Sequence, residues 1–214
     1  VSDRETFLAR LAVGRVRPPQ RPLGPALPPP VDPAAEFMSR LQEGGAAVHR
    51  EAEAEAAAAR AVEIVRRAGA GRAGLAELGA ELEGPLRRAA AAAGLELVPA
   101  GDGCDPAAIE PLPAGITRPE LAVAQTGALV QVARPGGGRL LSLLPPLHVA
   151  LVYLQDVLPT MEDLAAALVD QSRFPDGPPP AVSLIGGPSK TGDIEAVIVL
   201  GVHGPGRLEV VLWG

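Results

Sequence analysis

The stretch Ile185-Gly186-Gly187-Pro188-Ser189-Lys190-Thr191-Gly192-Asp193-Ile194-Glu195 concentrates side chains that could do chemistry. Gly186 and Gly187 permit close backbone approach, Ser189 and Thr191 offer hydroxyls, and Lys190, the chain's single lysine, adds a cation. Read as a strand running into a helix at about 192–200, the segment would cradle an anion at a helix N-terminus. It is not a Walker loop, because Gly-x4-Gly-Lys-[Ser/Thr] requires glycines where Leu184 and Ser189 stand. Nucleotide hydrolysis through that motif is therefore excluded. A plainer reading uses the same residues: Ser189 and Thr191 cap the helix, while Asp193 and Glu195 complement its dipole. Two residues apart, Asp193 and Glu195 would leave a helix on different sides, which argues against a paired acid and base. No base lies near Ser189 or Thr191 in sequence, so a nucleophilic triad has no support.

The remaining reactive residues are dispersed. His203 precedes Gly204-Pro205, at the end of an apolar run, and reads either as a site residue or as a hydrogen-bonded structural histidine. His148 interrupts an apolar run and is expected to be buried and satisfied in or beside a strand. His49 precedes an acidic segment and is expected at the surface. The three histidines lack metal-ligand spacing, so no metal site is expected, and nothing in the chain calls for a cofactor. Cys104, in Gly101-Asp-Gly-Cys-Asp-Pro106, has acidic neighbours that disfavour a thiolate. Gly136-Gly137-Gly138 reads as a hairpin loop, with a lid as the sharper alternative.

Composition bounds the rest. The chain has 214 residues and a net charge of -6, with 47% hydrophobic but only 2% aromatic residues. With 25 glycines and 24 prolines it approaches low-complexity composition, yet its long Val, Ile and Leu runs exclude disorder throughout. One cysteine cannot hold an iron–sulfur cluster, which usually takes four thiolates. The acidic balance and scarce aromatics argue against nucleic acid. The charged start, Val1-Ser2-Asp3-Arg4-Glu5, does not read as a signal peptide. The apolar run Leu140 to Leu154 is interrupted and too short for a membrane span. A soluble, cytoplasmic, single-domain protein is the expectation.

The elements that must position these residues divide into a helical front and a strand-rich back. A capping box at Ser2 to Glu5 opens a short helix ending near Gly14, followed by eight prolines between Arg17 and Pro33 that make an extended arm. Asp32-Pro33 starts the next helix, with Phe37, Met38 and Leu41 on its buried face and Gly44-Gly45 ending it. A short strand is expected near 46–49, a helix over 51–67, another over 85–93 and a strand over 95–98; residues 69–84 give no firm pattern. Strand-length apolar runs follow at 121–125, 128–132, 147–154, 182–185 and 208–213, with helices at 160–171 and about 192–200. Near-continuous apolar strands alternating with helices indicate an α/β fold whose sheet is covered on both faces.

The blocks Gly187-Pro188-Ser189-Lys190-Thr191-Gly192-Asp193-Ile194-Glu195 and Val199-Leu200-Gly201-Val202-His203-Gly204-Pro205 resemble the signature of the LUD-domain family, more narrowly its lactate-utilisation protein C type. Gly115-Ile116-Thr117, Ala122 to Val130 and Leu143-Leu144-Pro145-Pro146-Leu147-His148 are similar to that family's other blocks, in the same order. The resemblance covers about 115–214 closely and extends loosely to the N-terminal helices. It implies a layered α/β fold of the NagB, ribose-phosphate isomerase and CoA-transferase-like type. On that reading residues 1–33 are a helical extension and Pro-rich arm, and 34–214 the LUD domain. It implies ligand-binding roles for Gln125, Thr126, Gly127, Gly187, Ser189, Lys190, Thr191, Asp193, Glu195 and His203.

The implied function is that of an accessory subunit in oxidising L-lactate to pyruvate, beside iron–sulfur partner subunits that carry the redox centres. The alternative is an enzyme or binding protein for a small anionic ligand: a sugar phosphate, a CoA thioester or a carboxylate. Two departures bear on both. The family usually has an acid and a threonine where this chain has Gln125 and Ala128, and a glutamine cannot act as a carboxylate base. The signature cation is commonly arginine, and Lys190 keeps the charge without the bidentate fork.

Overall fold

Asp32 opens the first described helix as its sequence demands: its Oδ1 accepts from Ala35 N at 3.0 Å, and Pro33 takes the first helical position. The computed structural model describes residues 28–192 and 198–214. The expected helix at 2–14, most of the Pro-rich arm, Asp193 and Glu195 lie outside the described residues. Helix α1, Pro33–Gly44, buries Phe37 and Leu41 and ends on Gly45, whose φ of +95° is the left-handed conformation of a helix stop.

Strand β1 (Ala47–Glu51) and helix α2 (Ala54–Arg67) follow. The early Glu/Ala alternation is thus helical, because α2 is held by Ala57, Ala58, Ala61, Val62, Ile64 and Val65 on one buried stripe. The region without a firm pattern contains β2 (Arg72–Leu75) and the start of α3 (Ala80–Ala92). That helix begins before the expected residue 85, with Pro85 inside its second turn. Strand β3 (Glu96–Pro99), the short α4 (Pro106–Ile109) and β4 (Ala114–Thr117) complete the front. Cys104 is exposed just before α4.

The back half contributes β5 (Leu121–Val123), a 3-10 turn (Ala124–Thr126), β6 (Ala128–Val132), β7 (Leu147–Tyr153), β8 (Val157–Leu158), α5 (Met161–Leu168), β9 (Val182–Ile185), β10 (Lys190–Gly192), β11 (Ile198–Leu200) and β12 (Arg207–Trp213). A six-stranded parallel sheet runs in the order β1-β12-β7-β4-β2-β3. On one face, residues including Ile116, Val149, Leu151 and Val211 pack against α2 and α3. On the other, Ala150, Val152, Val210 and Leu212 meet Phe37 and Leu41 of α1 and Ala122 and Leu129 of a second sheet. Both faces are covered, as the apolar runs require.

That second sheet, β8-β5-β6-β9, was not legible in the strand pattern. Its outer face, Leu121, Val123, Val130 and Val132, packs on Leu164 of α5. A Thr160–Asp163 capping box starts α5, as hydroxyl and carboxylate each take a backbone N–H.

Two expectations are overturned. The described ends of the helix expected at about 192–200 are strand instead: Lys190–Gly192 and Ile198–Leu200 pair as an antiparallel ladder, with Thr191 opposite Val199. Ile198 and Val199 are β-branched and favour the extended state. Gly136-Gly137-Gly138 is not a hairpin tip, since β6 and β7 belong to different sheets. Instead Gly136 O accepts from Glu77 N at 3.1 Å and Gly137 O from Asp102 N at 2.8 Å, tying the segment to the loops after β2 and β3.

His148 is completely buried on β7, with Nε2 2.9 Å from Thr117 Oγ1. His49 is half-buried rather than superficial, 2.7 Å from the buried carboxylate of Glu209. Burial holds the His148 imidazole neutral, lowering its pKa from 6.5 to about 3. The unfolded imidazole takes a proton near pH 6.5 and the folded one does not, so stability present at neutral pH is lost as pH falls through that window. The contribution approaches about 1.4 kcal/mol per pH unit below the unfolded value. In urea titrations between pH 7 and 5, the His148→Gln protein should be less stable at pH 7 but lose less on acidification. Parallel pH profiles for the two proteins would refute this role for His148.

Candidate functional site

The loop joining β9 to β10 closes on the C-terminal end of α1. Lys190 Nζ donates to the Gly44 carbonyl at 2.5 Å. Gly187 also needs its missing side chain there, since a Cβ would stand 2.7 Å from Gly44 O. Helix α1 has no basic residue in its last turn, so the Lys190 ammonium supplies the cation that its negative dipole end favours. The lysine therefore meets a helix C-terminus, the reverse of the helix N-terminal cradle expected from the sequence.

The neighbouring turn is stitched to this loop by main-chain bonds. Ser189 N donates to Pro205 O at 2.8 Å, and Gly201 N donates to Ser189 O at 3.0 Å. His203 joins through its backbone, whose N–H points to Ser189 Oγ at 3.4 Å, and its residue is exposed. Gly187, Ser189, Lys190 and His203 thus share one locus, with Thr191 continuing into β10. Gln125, Thr126 and Gly127 lie one helical turn away along α1. Gly127, at φ +63°, packs so closely on the helix that a Cβ would come 2.5 Å from Arg40 Cβ. Gln125 N donates to Pro159 O at 3.1 Å, and its side-chain Oε1 faces Met161 N at 3.4 Å, at the start of α5. Both sequence blocks are therefore gathered around α1.

A second locus escaped the sequence reading. Beyond the carboxyl ends of β2, β4 and β7 lies a cleft of ≈ 360 Å³ lined by Arg118, Arg134, Arg173, Glu77, Glu120, Asp156 and the apolar Leu78, Pro119 and Phe174. Arg134 bonds Glu120 at 2.9 Å and Glu77 at 3.2 Å. Burial alone would lower the Arg134 pKa, but its bonds and charge interactions with these two carboxylates outweigh that and raise it. Arg118 stands 3.4 Å from both Asp156 and Glu81, and Arg173 3.6 Å from Asp156. The available signal was the position of Arg118, immediately after the Gly115-Ile116-Thr117 block at the end of a strand. Its partners come from residues up to 57 positions apart, as in the Arg134–Glu77 pair, which no local spacing reveals. Among the described residues no group of three or more His, Cys, Asp or Glu is arranged to hold a metal ion.

The Lys190–Gly44 bond makes a direct test. Lys190→Met should destabilise the protein by about 1 kcal/mol, by removing a charge-assisted bond and a favourable dipole contact, whereas Lys190→Arg should retain most of the stability. Equilibrium denaturation of the three proteins measures it; a neutral Lys190→Met change would show that the ammonium does not hold α1.

Comparison with known proteins agrees with the layered architecture. A DUF162 family protein from Deinococcus radiodurans superposes with a TM-score of 0.60 over 86% of this chain and 100% of that one, at 22% identity. Lactate utilization protein C from an Exiguobacterium species is 40% identical over 98 residues, covering 46% of this chain and 43% of that protein. Those from Macrococcus caseolyticus and Bacillus velezensis are 39% and 35% identical over 42% and 46% of this chain, and 39% and 41% of their own lengths. The matched stretch thus spans about two fifths of these curated relatives. The LUD domain family model matches residues 34–213, nearly the whole of the described fold. The chain belongs to the LUD-domain family.

Proposed function

We propose that this chain is an accessory LUD-domain subunit of a cytoplasmic system that oxidises L-lactate to pyruvate, with the redox centres in iron–sulfur partner subunits. The observation that carries the reading is the family match over residues 34–213, together with relatives named lactate utilization protein C. The single cysteine fits that division of labour, because a cluster held by four thiolates must then be held elsewhere. No described helix is long and apolar enough to cross a membrane. The parallel sheet with helices on one face and a second sheet on the other is read as the NagB, ribose-phosphate isomerase and CoA-transferase-like type.

Within this role, the residues around α1 form a recognition surface rather than a catalytic centre. Gln125 has no carboxylate to serve as base or nucleophile, and Lys190 is engaged with Gly44. The Gly187, Ser189 and His203 turns are set by backbone bonds and present their edges beside α1.

Deleting the gene should abolish growth on L-lactate as sole carbon source, and the chain supplied in trans should restore it. The tagged chain should also retain the iron–sulfur products of neighbouring genes through affinity purification. Unimpaired growth of the deletion strain, together with failure to retain those proteins, would end this reading.

A further inference from the structure

Open parallel sheets take up small ligands outside the carboxyl ends of their strands, at the place where successive connections leave in opposite directions. Here β2 leads to β3 on one side, whereas β4 leads, by way of the second sheet, to β7 on the other. The connections therefore diverge between β2 and β4. The arginine cleft lies there: Glu77 and Leu78 follow β2, Arg118 follows β4, and Asp156 follows β7. Its ≈ 360 Å³ suits a small molecule.

The charges lining it balance, three arginines against three carboxylates, but their pairs differ in quality. Arg134 and Glu120 are tightly joined at 2.9 Å. Arg118 instead stands 3.4 Å from both Asp156 and Glu81, and Arg173 3.6 Å from Asp156 and 3.3 Å from Glu120 O, all longer than the roughly 2.7–2.9 Å of a well-made charge-assisted bond. Both guanidinium groups thus retain donor capacity beside Asp156. Arg118 is also held from behind. Its Nη1 donates to Leu78 O at 3.2 Å, and its own carbonyl accepts from the fully buried Gln131 Nε2 at 3.4 Å. Leu78, Pro119 and Phe174 add an apolar wall.

A neutral lining would leave a dianion poorly compensated, whereas a monoanion that also donates a hydrogen bond uses both signs of charge. The geometry points to this cleft as a binding site for a small 2-hydroxy acid. Arg118, supported by Arg173, takes the carboxylate through its planar fork, Asp156 accepts from the hydroxyl, and the apolar wall meets a short alkyl group. The site stands on the cleft itself and rests on the proposed lactate role only for the choice of L-lactate as probe.

Isothermal titration of the full chain with L-lactate, propionate and inorganic phosphate tests it. L-lactate should bind, and propionate, which lacks the hydroxyl, about tenfold or more weakly. Arg118→Gln and Arg118→Lys should each weaken L-lactate at least about tenfold, the second because an ammonium cannot replace the fork. Asp156→Asn should erase the preference for L-lactate over propionate. If Arg118→Gln fails to fold, as judged by circular dichroism, Arg173→Gln replaces it, with a smaller loss expected. Absence of L-lactate binding, preference for phosphate, equal binding of propionate, or wild-type affinity in the Arg118 variants would each overturn the site. A deletion strain that cannot grow on L-lactate while the pure chain binds none removes the site and leaves the role. Binding by the chain from a strain that grows normally without it removes the role and leaves the site.

Discussion

Two glycines on adjacent central strands set the limit within which the rest of the molecule is arranged. Gly74 of β2 and Gly115 of β4 are register partners, and Leu141 lies across both. A Cβ at Gly115 would stand 2.5 Å from Leu141 O, and one at Gly74 would run into the Leu141 side chain. Backbone and side chain of the β6–β7 connection therefore occupy the volume that two side chains would need. The consequence reaches both sheets. On this face, α1 and the second sheet cover β12 and β7, while Leu141, Leu112 and Ile109 cover the β2 and β3 side. Without the glycines, the connection could not lie flat where the second sheet stops.

The same contact aligns a buried polar row. Gly138 packs on Thr117, Thr117 meets His148, and His148 is the register partner of Gly115 on β7. Gln131, fully buried on β6, reaches the carbonyl of Arg118 and the carboxylate of Glu120. The row is only partly satisfied, since His148 Nδ1 and Gln131 Oε1 are buried without a partner, but the bond from Gln131 Nε2 to the Arg118 carbonyl ties the residue just beyond β4 to β6. A rigid interior contact is thereby joined to the cleft wall through three consecutive residues, Thr117, Arg118 and Pro119.

Much of this was legible in the residues. The apolar runs at 128–132, 147–154, 182–185 and 208–213 form strands, Asp32-Pro33 starts a helix, and His148 is buried, though only its Nε2 is paired and its Nδ1 has no partner. These are local signals, read from periodicity, capping chemistry and the cost of placing an imidazole among aliphatic side chains. The failures share a different cause. The helix expected at about 192–200 came from reading Ser189, Thr191, Asp193 and Glu195 as cap and dipole residues, while Ile198 and Val199 answer to strand pairing across the hairpin. Local capping chemistry was outweighed by a β-branched ladder. The second sheet was hidden because β5 and β6 are buried at every position, as the central parallel strands nearly are, and periodicity records burial rather than which sheet a strand joins. The cleft was hidden because its ion pairs span the chain.

Lys190 shows how the two kinds of information meet. As the chain's only lysine, within a glycine-rich loop, it invites a ligand, and the sequence offers no sign that a helix end competes for it. Helix α1 supplies that competitor, because Gly44 and Gly187 both lack side chains and their backbones close to contact. A cation satisfied by a helix C-terminus is a poor anchor for an anion, since any anion must draw it from a carbonyl already 2.5 Å away. Arg118 stands in the opposite condition, fixed through its own backbone and by Leu78 yet only loosely paired through its guanidinium. Fixed position with unused donor capacity is what preorganised recognition requires, because the ordering entropy is met by the fold before a ligand arrives. The residues at 125–127 and 187–190 and those of the cleft are therefore separable: the former shape a surface around α1, and the strand ends supply the charge that can hold a small acid.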